Sequence, residues 1–215
     1  MMLRVNQVVF GLGRFVLGAS PGRMGVWTQG CSLPKCPGCT STHTWAAGGG
    51  HLVDPAMLVH LAQSQARRPT GLTISGGEPT DQASEVAALI EAFRDAFPDS
   101  EVVLYSGLRW PVLAARHPSL AGLPDVAVTG PYVRTAEATP LAGSSNQEVQ
   151  LLTPLARRLY ADWPKWPLHA LQVGGVLADE ILTVGIPHTP RIVRAAERAG
   201  ATEVSWDRSV HGGRE

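Results

Sequence analysis

Apolar positions recur along the chain with two different periods, and glycine and proline mark where one gives way to the other. Residues 3 to 17 alternate or cluster apolar side chains around Gly11 and Gly13, as a strand or hairpin does. Val26 to Thr28 reads as a short strand that runs directly into Gly30 and a cysteine-bearing loop. Asp54 as N-cap and Pro55 at the first helical position open a helix that continues to about Gln65, with Leu58, Leu61 and Ala62 on one face. Leu72 to Ser75 is then a strand, ending in Gly76-Gly77-Glu78-Pro79. From about Ala83 to Phe97 the period changes, and Val86, Leu89, Ile90, Phe93 and Phe97 form a single buried helical stripe. Val102 to Tyr105 is a strand ending in Ser106-Gly107, a short helix follows from Trp110, and Val126 to Val128 is a strand ending in Thr129-Gly130-Pro131.

Strand, turn and helix repeating in this order predict an α/β domain with a parallel sheet. Ligands of such sheets collect at the carboxyl ends of the strands, and here three strands end in polar, glycine-containing turns, so that rim is the expected site. The core domain is read over residues 1–154 and a C-terminal appendage packed on it over 155–215. In the appendage Trp163, Pro164, Trp166 and Pro167 crowd together and are read as packing residues. A hairpin-like apolar stretch, Leu171 to Ile186, is broken by Gly174-Gly175. Thr189 as N-cap, Pro190 behind it and Gly200 delimit a further helix, and Glu203 to Trp206 reads as a last strand.

Charge narrows the function classes. Eighteen Lys and Arg balance eighteen Asp and Glu, leaving no basic excess for nucleic acid or an anionic membrane. With 44% hydrophobic and 17% charged residues the chain is of globular composition. No apolar run approaches the roughly 20 residues that span a bilayer, and MMLRVNQVVFGLGR lacks the core of a signal peptide, so the expected location is cytoplasmic. Within it, Gly11-Leu12-Gly13-Arg14-Phe15 is too incomplete for a dinucleotide fingerprint. The pairs Arg67-Arg68 and Arg157-Arg158 read as solvated faces.

The cysteines carry the chemistry. There are three, Cys31, Cys36 and Cys39, all in one loop. An odd, crowded trio is not a disulfide framework, and three soft thiolates point to a metal site. From these residues alone two readings stand: three ligands of a four-iron cluster whose fourth iron stays open, or a structural zinc completed by His43. In the same way Gly76 to Pro79 reads either as a cofactor turn or as an ordinary strand-to-helix turn. Tyr105 reads as a site or a core residue, and Gly143 to Gln147 as a self-satisfied turn or something more.

The segment Thr28-Gln29-Gly30-Cys31-Ser32-Leu33-Pro34-Lys35-Cys36-Pro37-Gly38-Cys39, with Thr44-Trp45 beyond it, resembles the cluster loop of radical S-adenosylmethionine (SAM) enzymes. Within that superfamily it is most similar to the anaerobic ribonucleoside-triphosphate reductase activating protein family. Ser75-Gly76-Gly77-Glu78-Pro79 resembles the SAM-binding glycine motif of that family and Leu104-Tyr105-Ser106-Gly107 its aromatic strand end. Asp125-Val126-Ala127-Val128-Thr129-Gly130 and Gly143-Ser144-Ser145-Asn146-Gln147 resemble two later stretches. The resemblance implies a partial, open radical-SAM α/β barrel in which Cys31, Cys36 and Cys39 hold a [4Fe-4S] cluster. It places SAM against Gly76, Gly77, Glu78, Pro79, Tyr105, Ser106 and Gly107, with the two glycines admitting its methionine end and Glu78 near its ammonium. It further implies reductive SAM cleavage to a 5′-deoxyadenosyl radical, hydrogen abstraction from a backbone glycine of a glycyl-radical enzyme, and a flavodoxin or ferredoxin as reductant.

The chain departs from this pattern at several points. Four residues, Ser32 to Lys35, separate the first two cysteines where the family has three. Beside the third cysteine, where the family places an aromatic residue that contacts adenine, this chain has Thr40, and before Gly130 it has Thr129 where the family has Asp. The region after about residue 155 exceeds the short activating proteins. Thr40, Thr129 and the added tail favour, as an alternative, a radical-SAM maturase acting on a peptide or small natural product; an alternative of a different class is a non-catalytic zinc or iron-sulfur binding module.

Overall fold

The computed structural model describes residues 1–168 and, beyond them, the backbone of two strands, Gln172–Leu177 and Glu180–Val184. Seven strands form one sheet: β1 (Leu3–Leu12), β2 (Arg23–Thr28), β3 (His51–Val53), β4 (Gly71–Gly76), β5 (Glu101–Ser106), β6 (Val126–Thr129) and β7 (Glu148–Leu151), in the spatial order β3-β1-β2-β4-β5-β6-β7. The four central strands β2, β4, β5 and β6 run parallel. The outer strands β1, β3 and β7 each pair antiparallel with their neighbours. The sheet is therefore mixed and open, parallel only at its centre, which corrects the expected parallel sheet. The reason lies in the connections: the parallel neighbours are joined by crossovers that carry helices, whereas a loop without a helix joins β6 to β7.

Two crossovers carry the helices α1 (Pro55–Gln63) and α2 (Ala83–Ala96), and α3 (Trp110–Arg116) with α4 (Pro118–Ala121) joins β5 to β6. The Asp54 carboxylate accepts the Ala56 N–H at 2.8 Å and starts α1 as expected. The inward face of α1 differs from the expected one: Leu58, Val59 and Ala62 are buried, whereas Leu61 is 41% exposed. A helix that ends at Gln63 has room for one narrow stripe, and Val59 takes the place assigned to Leu61. The α2 stripe is as predicted, with Val86, Leu89, Ile90, Phe93 and Phe97 all buried. These residues pack with Met24, Val26, Leu72, Ile74, Val102 and Leu104 into the core on the helix side of the sheet.

The opposite face is covered by loops and one short helix. Val103, Val126 and Val128 point there and pack with Ala142, Tyr160 and Trp166, the last two just after α5 (Pro154–Leu159). Trp166 meets Phe15 with ring centroids 4.7 Å apart and Tyr160 at 5.1 Å. The packing roles read for Trp163 and Trp166 hold, and Arg67, Arg68, Arg157 and Arg158 are exposed as expected. Below this layer Arg23 and Glu101 form a fully buried ion pair at 2.8 Å. Arg23 Nε donates to Thr73 Oγ1 at 2.7 Å, Ser20 N–H donates to Glu101 Oε1 at 2.7 Å, and Ala19 N–H donates to the Tyr160 hydroxyl at 3.0 Å. The network fastens the loop after β1 beneath the sheet. Gly18 belongs to it by necessity, because a Cβ there would lie 1.7 Å from Arg23 Nη1.

The hairpin expected between Leu171 and Ile186 is present as antiparallel strands Gln172–Leu177 and Glu180–Val184, with a register shift between Gly174 and Val176 where the glycine pair falls. The helix read from Thr189 to Gly200 and the strand read at Glu203 to Trp206 lie outside the described residues. Among the described residues no helix is long and apolar enough to cross a membrane.

Candidate functional site

The carboxyl ends of the central strands lie side by side, Thr28 opposite Gly76 and Ser106 opposite Thr129. The turns that leave them bond across the strands. Gly77 N–H donates to Thr28 O at 2.9 Å, Glu78 N–H to Gly30 O at 2.8 Å, and Gly130 N–H to Ser106 O at 3.0 Å. Gly76 has φ +112°, and a Cβ there would lie 2.4 Å from the Thr28 backbone; one on Gly77 would lie 1.8 Å from Gly30 O. The two glycines are thus required by the chain's own close approach to the start of the cysteine loop, whatever ligand they also admit.

Above the rim is a cavity of about 280 Å³, near the lower end of the roughly 300–1,000 Å³ of small-molecule sites. Cys31, Cys36 and Cys39 line one side of it, and Gly76, Gly77 and Glu78 with Tyr105, Ser106 and Gly107 line its floor. The structure therefore brings to one cavity residues separated by up to 76 positions in the chain. Pro79 is the exception: it is buried at the start of a 3₁₀ turn, Pro79–Gln82, behind the cavity wall.

All three thiols are free and partly exposed. Cys39 Sγ accepts the Ser41 N–H at 3.4 Å, and the backbones of Leu33 and Tyr132 pull the thiols of Cys31 and Cys36 down. Burial nevertheless pushes the thiols of Cys31 and Cys36 up from their ordinary range. Among the described residues no three His, Cys, Asp or Glu side chains gather closely enough to share a single ion. His43 lines the same cavity, and burial pushes its imidazole below the ordinary range. The Cys₃His set proposed for one zinc ion is not assembled. Three thiols lining one wall suit a group that takes each sulfur on a different iron.

Glu78 is 1% exposed and is held entirely by the protein. Its Oε1 accepts from Thr80 N–H at 3.0 Å, Thr80 Oγ1 at 2.8 Å and Ser106 Oγ at 2.8 Å, while Oε2 accepts from Gly107 N–H at 2.8 Å. Burial pushes its carboxyl up, and these donors pull against that shift. The carboxylate ties the end of β4 to the end of β5, a task that accounts for it without a ligand. Tyr105 turns its ring to the cavity and donates its hydroxyl to Leu141 O at 2.9 Å, and burial pushes the phenol far up.

Several contributors were not legible. Phe15, Leu17 and Leu141 line the cavity with φ of +67°, +60° and +62°, a conformation bulky side chains rarely adopt. Pro167 joins Phe15 on this far wall. Tyr132 lines the wall beside Cys36 and Cys39, and no signal in its surroundings marks it. The stretch Gly143 to Gln147 closes the loop above. Gly143 N–H donates to Gln147 Oε1 at 3.0 Å, Gln147 Nε2 to Gly130 O at 3.1 Å, and Asn146 Nδ2 to Pro131 O at 2.7 Å. It is a turn that satisfies backbone groups, its own and those of the β6 exit. Asp125 lies at the other end of β6, where it binds Arg94 at 2.9 Å and the Val102 N–H at 2.8 Å, away from the cavity.

Residues 18–150 match the family described as 4Fe-4S single cluster domain. The chain is also 28% identical over 142 residues to an anaerobic ribonucleoside-triphosphate reductase-activating protein of Vibrio cholerae, a match that covers 62% of this chain and 90% of that protein. Both findings bear out the resemblance to radical-SAM activating proteins read from the motifs.

Proposed function

The chain belongs to the 4Fe-4S single cluster domain family, and we propose that it is a radical-SAM activating enzyme whose substrate is a glycyl-radical enzyme, foremost an anaerobic ribonucleotide reductase. The observation that carries this reading is the single cavity bordered by Cys31, Cys36 and Cys39 on one side and by the glycine-lined strand ends on the other. Cys31, Cys36 and Cys39 would hold the cluster through their sulfurs, with the Ser41 N–H donated to Cys39 Sγ. Bound there, an iron-sulfur cluster supplies an open iron for SAM and the electron that cleaves it to a 5′-deoxyadenosyl radical.

The protein's part is orientation and exclusion of water. Gly76 and Gly77 present backbone to the cavity floor, and Glu78 fixes the Ser106-Gly107 turn beside them, so the floor is rigid before any ligand arrives. Tyr105 holds Leu141 over the cavity and so draws the loop above β6 across it. Phe15 and Leu17 close the far wall against solvent. A flavodoxin or ferredoxin would be the external reductant.

The test is anaerobic reconstitution with iron and sulfide, reduction in the presence of SAM, and mass spectrometric detection of 5′-deoxyadenosine. The native chain should form it and Cys36→Ala should not; a native chain that takes up zinc and no iron would overturn the reading. A second reading, a maturase acting on a peptide or small natural product, is favoured by one observation. Phe15, Leu17 and Pro167, which build the far wall, all lie outside the residues that match the family. A glycyl radical on an added anaerobic reductase, seen by electron paramagnetic resonance, would decide for the first reading.

A further inference from the structure

The 3₁₀ turn Pro79–Gln82, with the residue before it, anchors three separate parts of the site through the side chains of Glu78, Asp81 and Gln82. Glu78 binds the end of β5, as described. Gln82 exchanges bonds with Arg4 in β1, accepting its N–H at 2.7 Å and donating to its carbonyl at 3.0 Å, and also donates to Gln29 O at 3.1 Å. Asp81 reaches the cysteine loop, where its Oδ2 accepts Ser32 N–H at 2.7 Å and its Oδ1 accepts Ser32 Oγ at 2.6 Å. The turn is rigid before Asp81 acts, because Asp81 N–H is itself held by Glu78 O at 3.1 Å.

Ser32 is the residue after Cys31, and it begins the four-residue span to Cys36. On the other side of Cys31, Gly30 is bonded to Glu78 N–H and Thr44 O, and Cys31 N–H donates to Trp45 O at 3.3 Å. Lys35 closes the span by donating to Cys31 O and lying over the Trp45 ring at 5.2 Å. With Asp81 removed, Ser32 loses both of its bonds to the turn, and the span is left to Lys35 and to the bonds before Cys31. A carboxylate that accepts two donors through two oxygens makes strong, directional bonds, so it sets an angle as well as a distance.

We propose that Asp81 is a positioning residue for the cluster loop: by clamping Ser32 it absorbs the long spacing between Cys31 and Cys36 and fixes the Cys31 thiol relative to the glycine turn. This rests on the reading of the three cysteines as cluster ligands. Both Asp81 and Ser32 are exposed, so the clamp contributes little to folding and much to alignment. Outer-shell partners of this kind typically change metal retention by about 10–100-fold.

The full-length chain and its Asp81→Ala, Asp81→Asn and Ser32→Ala variants are reconstituted anaerobically. Three quantities are read: iron and sulfide per chain, the rate of iron loss to a chelator, and the electron paramagnetic resonance spectrum of the reduced protein with and without SAM. Asp81→Ala should melt like the native chain, lose iron about tenfold faster or more, and show a blunted spectral response to SAM. Ser32→Ala keeps the N–H bond and should fall between the two; Asp81→Asn can accept the Ser32 N–H and donate to Ser32 Oγ, so it should stay nearer the native chain than Asp81→Ala does. Native iron retention and an unchanged SAM response in Asp81→Ala would overturn the clamp alone. A native chain that assembles no cluster would overturn the functional reading, and the clamp with it.

Discussion

At the scale of single residues, the side chains with the most bonds are those whose roles the motifs describe least well. Glu78 accepts four hydrogen bonds in a buried position, and Gln in its place would turn an amide NH₂ toward either Gly107 N–H or the three donors at Oε1. Glu78→Gln should therefore destabilise the chain by about 1–3 kcal/mol, measurable by urea unfolding. His43 gives a pH test. Its folded-state imidazole is pushed down by burial, so the unfolded chain binds the proton more readily and stability is lost as pH falls below the ordinary histidine range. The native chain without metal should lose more melting temperature between about pH 7.5 and 5.5 than His43→Gln does; equal losses would show that His43 is not the group responsible. The cysteines and the glycine pair were legible because few residue types can do their work. The left-handed Phe15, Leu17 and Leu141 were not, since nothing in a Phe or Leu announces a positive φ that tertiary contacts impose.

At the scale of elements, periodicity served long helices and central strands well and failed where packing chooses among similar residues. The α2 stripe follows the expected pattern because it is buried against one partner layer, and the strands ending at Ser106 and Thr129 do so because both of their faces are buried. On α1 the sequence offers Leu58, Val59, Leu61 and Ala62, and only the position of α2 decides which of them turn inward. Leu58→Ala should cost about 2–5 kcal/mol, whereas Leu61→Ser should stay within about 0.5 kcal/mol; a large cost at Leu61 would place it in a contact this structure lacks. The edge strands β3 and β7 were missed for a related reason: each is only three or four residues long and half-solvated, so no period has room to show. The turn between β4 and α2 has its own test. Gly77→Ala forces a Cβ against Gly30 O and should cost roughly 3 kcal/mol, shifting the unfolding midpoint even without any cofactor.

At the scale of the whole molecule, the sheet divides the labour. Its helix side carries the larger core, and its other side carries the cavity, walled by loops and by the segment that follows α5. That segment, read from sequence as an appendage, contributes Tyr160 to the buried Arg23 and Glu101 network and Trp166 to the wall behind Phe15. Trp166→Ala should cost about 3–5 kcal/mol in unfolding measurements; a near-neutral change would separate the segment from the site. The family match over residues 18–150 takes in the cysteines and the rim, whereas Phe15, Leu17 and Pro167 of this wall lie outside it.

The most direct measurement is a crystal structure of the anaerobically reconstituted chain grown with SAM. A cluster bonded to the sulfurs of Cys31, Cys36 and Cys39, with SAM between it and the turn from Gly76 to Glu78, is the predicted result. A single zinc ion on the cysteines and His43, or SAM bound away from that turn, would contradict it.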